Sequence, residues 1–412
     1  MLSPEYLSRV AEGSEYIASQ LHDYLIKEIV DRMMIRLGRG ENYLMTPADE
    51  WRIRILQDAG YLYADIIKEI AKYTKMQQDE IREAMEDAGA RAIAYDDAIY
   101  KAAGLSPVPL MQSPHLIRLM ERNYRATIGT WNNYTRTTAD AAQRLFVNEC
   151  DLAYHKVSSG AVAYNQAVKE AIESAISGGV YVLWKDENGN VYHRDTIEVA
   201  TARAVRTGVA QATGDISIKR MEEMDWDTIL VSAHIGARTG DGGQNPGNHL
   251  WWQGQYYSRT GRDKRFPPFS VTGYGTGEGL CGWNCRHSFG SGSGDEKDNP
   301  YKDIQTTDNI RVEKLEQRQR LLERRIRKTK REVMGMQAAV DGCKDDALRF
   351  TLQKELDRKS YLLQKQNKKY KDFCKANDLR SQQERLQIAK WTRKEASKAA
   401  GAARRYQNAK GE

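Results

Sequence analysis

Apolar side chains recur at three- and four-residue intervals along most of this chain, and the places where that rhythm stops divide it. Val10, Ile17, Leu21, Leu25 and Ile29 mark an amphipathic helix over residues 5–37, which Gly38 and Gly40 terminate. Thr46-Pro47-Ala48-Asp49 reads as the next helix start, with Thr46 as cap and Pro47 in the first turn. Two or three helices then run to Ala103, where Pro107 and Pro109, unable to donate to a helical ladder, break the run. Ser113-Pro114 opens a long helical stretch to Gly178, interrupted near Ser158-Ser159-Gly160. Tyr61, Tyr63, Met76, Met85 and Tyr95 fall at helical spacing and read as packing residues rather than a cofactor box.

The pattern changes period at Gly178-Gly179. Residues 180–184 and 191–193 flank a polar segment with Asn188-Gly189 at its turn, which predicts a β-hairpin. Residues 196–224 return to helical spacing, with Ala202, Val205 and Val209 on one stripe. Residues 229–233 predict a short strand that delivers His234 into a loop rich in glycine and asparagine, residues 235–248. A strand around Trp252-Gln253-Gly254 follows, and then residues 272–289, where glycines alternate with bulky aromatics. That mixture suits a compact unit in which backbone passes close to backbone.

Gly290-Ser291-Gly292-Ser293-Gly294 and the charged residues after it read as a linker. Beyond it Val312, Leu315, Gln319, Leu322, Ile326, Thr329, Val333, Met336 and Val340 keep a strict three-and-four spacing, the seam of a coiled coil. Leu348, Leu352, Leu356, Leu363 and Tyr370 form an answering stripe, so the economical prediction is an antiparallel helical hairpin turning at Gly342. Residues 379–405 predict a basic helix or a disordered arm. The fold class is therefore mainly α with a small α+β domain. Its expected divisions are a helical N-terminal domain (1–178), an α+β unit (179–290), a linker (291–310), a hairpin (311–378) and a basic arm (379–412).

Charge sharpens this division. Residues 311–412 hold 29 Lys and Arg against 14 Asp and Glu, a net of +15, whereas the remainder carries 34 basic and 42 acidic residues, a net of −8. Such asymmetry points to a polyanion or an acidic protein surface as partner of the last hundred residues, or to a well-solvated coiled coil. Lys390, Arg393, Lys394, Arg404 and Arg405, with Trp391 among them, are the candidate nucleic-acid contacts, through phosphates and without reading sequence. No apolar run approaches the ~20 residues needed to span a bilayer, and the acidic N-terminal stretch lacks the form of an export signal. Five cysteines in 412 residues make no disulfide framework.

His234, Asp241, His249, Cys281, Cys285 and His287 are the potential ligands clustered in sequence. Imidazole and thiolate donors suit a structural Zn²⁺, for which Cys281, Cys285, His287 and His249 would be the ligands. Against it, Cys281 and Cys285 are separated by three residues and only one of the usual paired knuckles is present. Hydrogen-bonded core histidines and buried thiols are the competing reading, under which the chain needs no cofactor. Neither a Cys–His nucleophile pair nor a His234–Asp241 acid–base pair is singled out by spacing. The glycine run Gly273, Gly275, Gly277, Gly279 is no phosphate loop, because Leu280-Cys281-Gly282-Trp283 follows it instead of a helix start.

Residues 232–238 (SAHIGAR), His249 with Trp252-Gln253-Gly254, and residues 273–289 (GYGTGEGLCGWNCRHSF) together resemble the tailed-phage minor capsid protein 2 family. The C-terminal hairpin, with residues 317–320, 370–379 and 383–385, looks similar too, so the resemblance covers most of 195–390. A weaker similarity, carried by the His-containing WQG segment and Asn284-Cys285-Arg286, extends to phage Mu F-like head-morphogenesis proteins. The glycine-rich insertion between Arg238 and His249 departs from that second pattern. The resemblance implies a non-enzymatic, low-copy virion protein of the head interior and portal vertex, assembled in the host cytoplasm and assisting head assembly, DNA packaging or delivery. The partners it implies are portal and capsid proteins, packaged double-stranded DNA through the basic C-terminal region, and further copies of the chain. The alternative is a metal-dependent enzyme or toxin-like module built on His234, His249, Cys285 and His287.

Overall fold

The computed structural model describes residues 1–178, 180–304 and 307–411; Gly179 and residues 305–306 of the expected linker lie outside the described residues. Helices dominate. In chain order they are α1 (Pro4–Arg9), α2 (Glu12–Leu37), α3 (Glu41–Leu44), α4 (Ala48–Ala102), α5 (Pro114–Ser158) and α6 (Tyr164–Gly178). The hairpin strands β1 (Tyr181–Lys185) and β2 (Val191–Thr196) and helix α7 (Ile197–Glu223) follow. Next come β3 (Thr228–Val231), the turn of helix α8 (His249–Trp252), β4 (Tyr256–Ser258) and β5 (Phe289–Ser291). The chain closes with α9 (Asn309–Gly342), α10 (Asp346–Ala376) and α11 (Arg393–Lys410). The protein is thus mainly α with a small α+β part.

Several boundaries differ from the sequence expectation for identifiable reasons. Residues 5–37 form two helices, α1 and α2. The two or three helices expected up to Ala103 are one helix of 55 residues, α4, because nothing stronger than Gly60 and Gly89 interrupts it. Thr46 does not cap it, since its hydroxyl is buried without a hydrogen-bond partner among the described residues. Trp252-Gln253-Gly254 closes the α8 turn, and the strand begins only at Tyr256. Gly290-Ser291-Gly292 is no linker. Phe289–Ser291 is the buried strand β5, and Gly292 N–H continues the ladder to the Thr228 carbonyl at 2.9 Å. Small residues there let strands and side chains come close: a Cβ on Gly292 would meet the Tyr256 ring at 2.6 Å.

By internal contacts the chain forms two units, each drawn from three segments. Unit 1 comprises residues 1–15, 75–132 and 201–317, and unit 2 residues 16–74, 133–200 and 318–412.

Unit 1 holds the three-stranded antiparallel sheet, ordered β4-β3-β5. Its central strand β3 pairs Ile229 with Tyr257 on one side and with Ser291 on the other, and all four of its residues are buried. Ile81, Met85, Val205, Val209, Met221, Trp252, Tyr257, Phe269, Leu280 and Phe289 pack into one core with the sheet. Polar anchors fix the surroundings. Buried Arg220 forms a two-pronged ion pair with Asp97 at 2.9 and 3.0 Å, and Asp96 accepts the Ser291 N–H at 2.8 Å. The Leu2 backbone is held to Ser288 through both its N–H and its carbonyl, at 3.0 and 2.6 Å.

In unit 2, α9 and α10 are antiparallel, as their side-chain pairs show: Gln319 with Tyr370, Glu323 with Tyr370, and Glu332 with Lys359. Seam residue Gln319 is buried and also donates to the Arg380 carbonyl at 2.9 Å, anchoring the chain beyond α10. Arg331 of α9 is buried against Asp23 (2.8 Å), Glu198 (2.6 Å) and Ser19 (3.0 Å), so α9 is packed on faces besides the seam. His22 completes this cluster through Glu198 at 2.8 Å. Residues 379–405 are no disordered arm. Lys330 Nζ donates to the Leu386 carbonyl, the Lys390 N–H to Asp23, and α11 begins with a Thr392–Glu395 capping box. Tyr61 and Met76 are exposed, and of the residues expected to pack on α4 Met85 is fully buried.

Candidate metal centre

The residues that meet in unit 1 come from three places in the chain. Strand β3 runs on through Ser232 and Ala233 to His234. Ser232 N–H bonds the Ser288 carbonyl at 2.9 Å and Ser232 Oγ accepts the Ser288 N–H at 3.0 Å, so the segment before β5 is zipped alongside. This brings the His234 and His287 rings into a stack, centroids 4.5 Å apart and planes 23° from parallel. His249 opens α8, tied by its N–H to the Arg238 carbonyl at 2.8 Å, and its ring lies 4.5 Å from that of Trp252 one turn on.

Cys285 arrives through the glycine segment. Backbone crosses backbone there. A Cβ on Gly279 would lie 2.2 Å from the Gly273 carbonyl oxygen, and one on Gly282 would lie 2.4 Å from that of Gly277. Cys281 and Asn284 adopt positive φ, 59° and 56°. The resulting turns place Cys285 Sγ 3.6 Å from His287 Nδ1 and 3.8 Å from His249 Nδ1. His249, Cys285 and His287 are all buried, with one ligand atom from each within 4.8 Å of the others.

The outer faces of both imidazoles are held. Gln253 Oε1 accepts the His234 backbone N–H at 3.1 Å, which identifies that atom as the oxygen, and the same oxygen lies 2.9 Å from His287 Nε2. His287 therefore carries its proton on Nε2 and turns the Nδ1 lone pair toward Cys285. His249 Nε2 lies 2.8 Å from the Glu278 carbonyl and 2.7 Å from Arg238 Nη2, which itself donates to that carbonyl at 2.6 Å. Both protonation patterns of His249 thus have a partner in place.

Burial sets the charge states. It pushes the His234 and His249 pKa values down to about 4, helped by Arg286 at His234 and by Arg238 at His249. His287, fully buried, is held well below the ordinary histidine range, by burial first and then by its two histidine neighbours. The Cys281 and Cys285 thiols are pushed up by burial. The cluster is accordingly a set of neutral imidazoles around a protonated thiol. An activated cysteine nucleophile needs a lowered pKa and access, and Cys285 has neither.

The ligand residues expected from sequence are thus partly convergent. His249, Cys285 and His287 meet, while the Cys281 Sγ is turned to the His287 carbonyl at 3.7 Å. Asp241 is engaged in its own loop by Gly243 N–H and Asn245, at 2.9 and 2.6 Å. In unit 2, Arg393, Lys394 and Arg404 are exposed on α11, whereas exposed Arg405 pairs with Asp357 at 2.8 Å. Lys390 is half-buried, its ammonium 5.3 Å from the Tyr24 ring centroid. Gln253, Arg238 and the Glu278 carbonyl escaped the sequence reading. The available signal was the position of Gln253, four residues after His249 on a helical turn.

Comparison with known proteins agrees with the resemblance and extends it. A curated relative, described as a structural protein of Lactococcus phage LL-H, is 23% identical over 303 residues, covering 68% of this chain and 76% of that protein. No solved structure matches the chain significantly. The profile of the family described as Phage minor capsid protein 2 matches residues 2–375, which takes in the N-terminal helices as well as the site, and the chain belongs to that family.

Proposed function

We propose that this protein is a low-copy, non-enzymatic component of the phage head, associated with the portal and the head interior, that assists assembly, DNA packaging or delivery. Family membership over residues 2–375 is the observation that carries the reading, because it makes the chain a structural phage protein and thereby a virion component. Two surfaces support the finer role. Arg393, Lys394 and Arg404 stand exposed on α11 within the C-terminal region of net +15, suited to phosphate contact. On α4, Ile53, Leu56 and Tyr61 are exposed by 59%, 51% and 64%, apolar surface suited to a portal or capsid partner. Among the described residues no helix is long and apolar enough to cross a membrane.

The competing enzyme reading has one observation in its favour, a cysteine sulfur between two imidazole nitrogens. Burial of all three residues and the protonated thiol weigh against it. Quantitative mass spectrometry of purified particles tests the proposal. The chain is expected at a few copies per portal ring, with incorporation lost when Ile53 and Leu56 are both changed to Asp. Particles without the chain overturn it. Binding of double-stranded DNA by the full chain should weaken steeply with salt, and each of Arg393→Ala, Lys394→Ala and Arg404→Ala should lower the log–log slope by about 1.

A further inference from the structure

We propose that His249 Nδ1, His287 Nδ1 and Cys285 Sγ bind a divalent cation of the zinc class, a site that does not depend on the virion role above. Its geometry fits. A tetrahedral ion with Zn–S near about 2.3 Å and Zn–N near about 2.0–2.1 Å holds sulfur and nitrogen ligands about 3.5 Å apart. The two sulfur–nitrogen separations here are 3.6 and 3.8 Å. Both imidazoles turn a ring nitrogen to the same sulfur, so one ion placed between them would meet all three donor atoms. The donor set of two imidazoles and a thiolate selects zinc-like ions over Mg²⁺ and Ca²⁺, which prefer oxygen.

The surroundings are those a ligand set requires. Each imidazole faces the sulfur through Nδ1 and meets an acceptor at Nε2, Gln253 Oε1 for His287 and the Glu278 carbonyl for His249. The protons balance. In the metal-free chain, Arg238 donates to His249 Nε2, His249 Nδ1–H to Cys285 Sγ, Cys285 S–H to His287 Nδ1, and His287 Nε2–H to Gln253. On binding, the thiol proton leaves to solvent and the ion takes its place on sulfur. The His249 proton moves from Nδ1 to Nε2, where the Glu278 carbonyl at 2.8 Å receives it, and Arg238 keeps its own bond to that carbonyl. One proton is released and nothing is oxidised or reduced.

The test uses the full chain purified from zinc-supplemented cells, dialysed, and analysed for metal by mass spectrometry. About one zinc per chain is expected. After exchange with Co²⁺, a thiolate-to-cobalt charge-transfer absorption should appear. Cys285→Ser should abolish that band and weaken zinc binding at least a hundredfold in chelator competition, whereas Cys281→Ser and Cys374→Ser should leave both intact. Circular dichroism monitors folding of each variant, and the cobalt spectrum of the unaltered chain decides the matter should Cys285→Ser fail to fold. Wild-type protein with neither zinc nor a cobalt band overturns the proposal, as does a Cys285→Ser variant that keeps its metal. Loss of metal in Cys281→Ser with the fold intact overturns the ligand assignment.

Discussion

Gln253 gives one oxygen to two donors, the His234 backbone and the His287 ring, and it is 6% exposed. Replacing it by leucine leaves both donors buried and unpaired, so Gln253→Leu should lower the unfolding free energy by about 1–3 kcal/mol in urea titrations. Gly279 is constrained differently. Alanine there meets the carbonyl oxygens of Gly273 and Thr272 at 2.2 and 2.7 Å, neither of which can swing away as a side chain could. Gly279→Ala should therefore reduce the yield of folded protein more than Gln253→Leu does, as judged by thermal melts. The glycine–aromatic texture of this segment was legible because close crossings and filled gaps need those residue types. Residue type alone grouped His249 with Cys281, Cys285 and His287 in the sequence; that Cys281 turns away from the other three was not legible, since ligands from separate elements leave no spacing rule. An amide such as Gln253 carries no ligand signature at all, and its role emerges only once the histidines it serves are located.

Helix α4 shows how far local propensity carries an element. Its 55 residues contain no proline, and Gly60 on its exposed face has nothing within 4 Å of an added Cβ. Gly60→Ala should stabilise the protein by about 0.5–1 kcal/mol. Helix α9 carries the opposite case, a charge enclosed by its partners. Removing the guanidinium in Arg331→Met strands Asp23 and Glu198 in the interior and should cost about 3–5 kcal/mol, read by denaturant unfolding. Where α6 packs on α10, burial, and then a hydrogen bond with Glu355 and its charge, push Glu173 up to about 7. The folded state then keeps a proton that the unfolded chain has released. This contribution is full below pH 4.5 and is lost as pH rises through 7. The stability of Glu173→Gln relative to wild type should accordingly grow between pH 5 and pH 8 in parallel melts. Helix periodicity revealed α5, α6, α7 and the α9–α10 hairpin from sequence. It could not reveal β5, because Gly290-Ser291-Gly292 carries flexible-linker composition while serving as a sheet edge among large neighbours.

Charge over the whole chain divides more sharply than its contacts do. The +15 of residues 311–412 reads in sequence as a surface for a polyanion or a well-solvated coiled coil, yet the structure takes part of it inward: Arg331 is buried, Lys330 is bonded to the Leu386 carbonyl, and Arg405 is paired with Asp357. The cationic surface left for a polyanion is correspondingly smaller than composition suggests, and the DNA salt dependence should reflect the exposed subset alone. Sequence reading also cut the protein into successive blocks, because it follows texture along the chain and has no access to which segments meet. The two units draw on alternating segments, so that residues 16–74 await partners beyond residue 318, and residues 1–15 await the sheet of 228–291. On a ribosome, unit 1 would thus stay unfinished until residues 201–317 had emerged, and unit 2 until the residues after 318 had followed. The hydrophobic faces of residues 1–74 would stay exposed meanwhile, and chaperone demand during synthesis should fall in two steps, as unit 1 and then unit 2 closes.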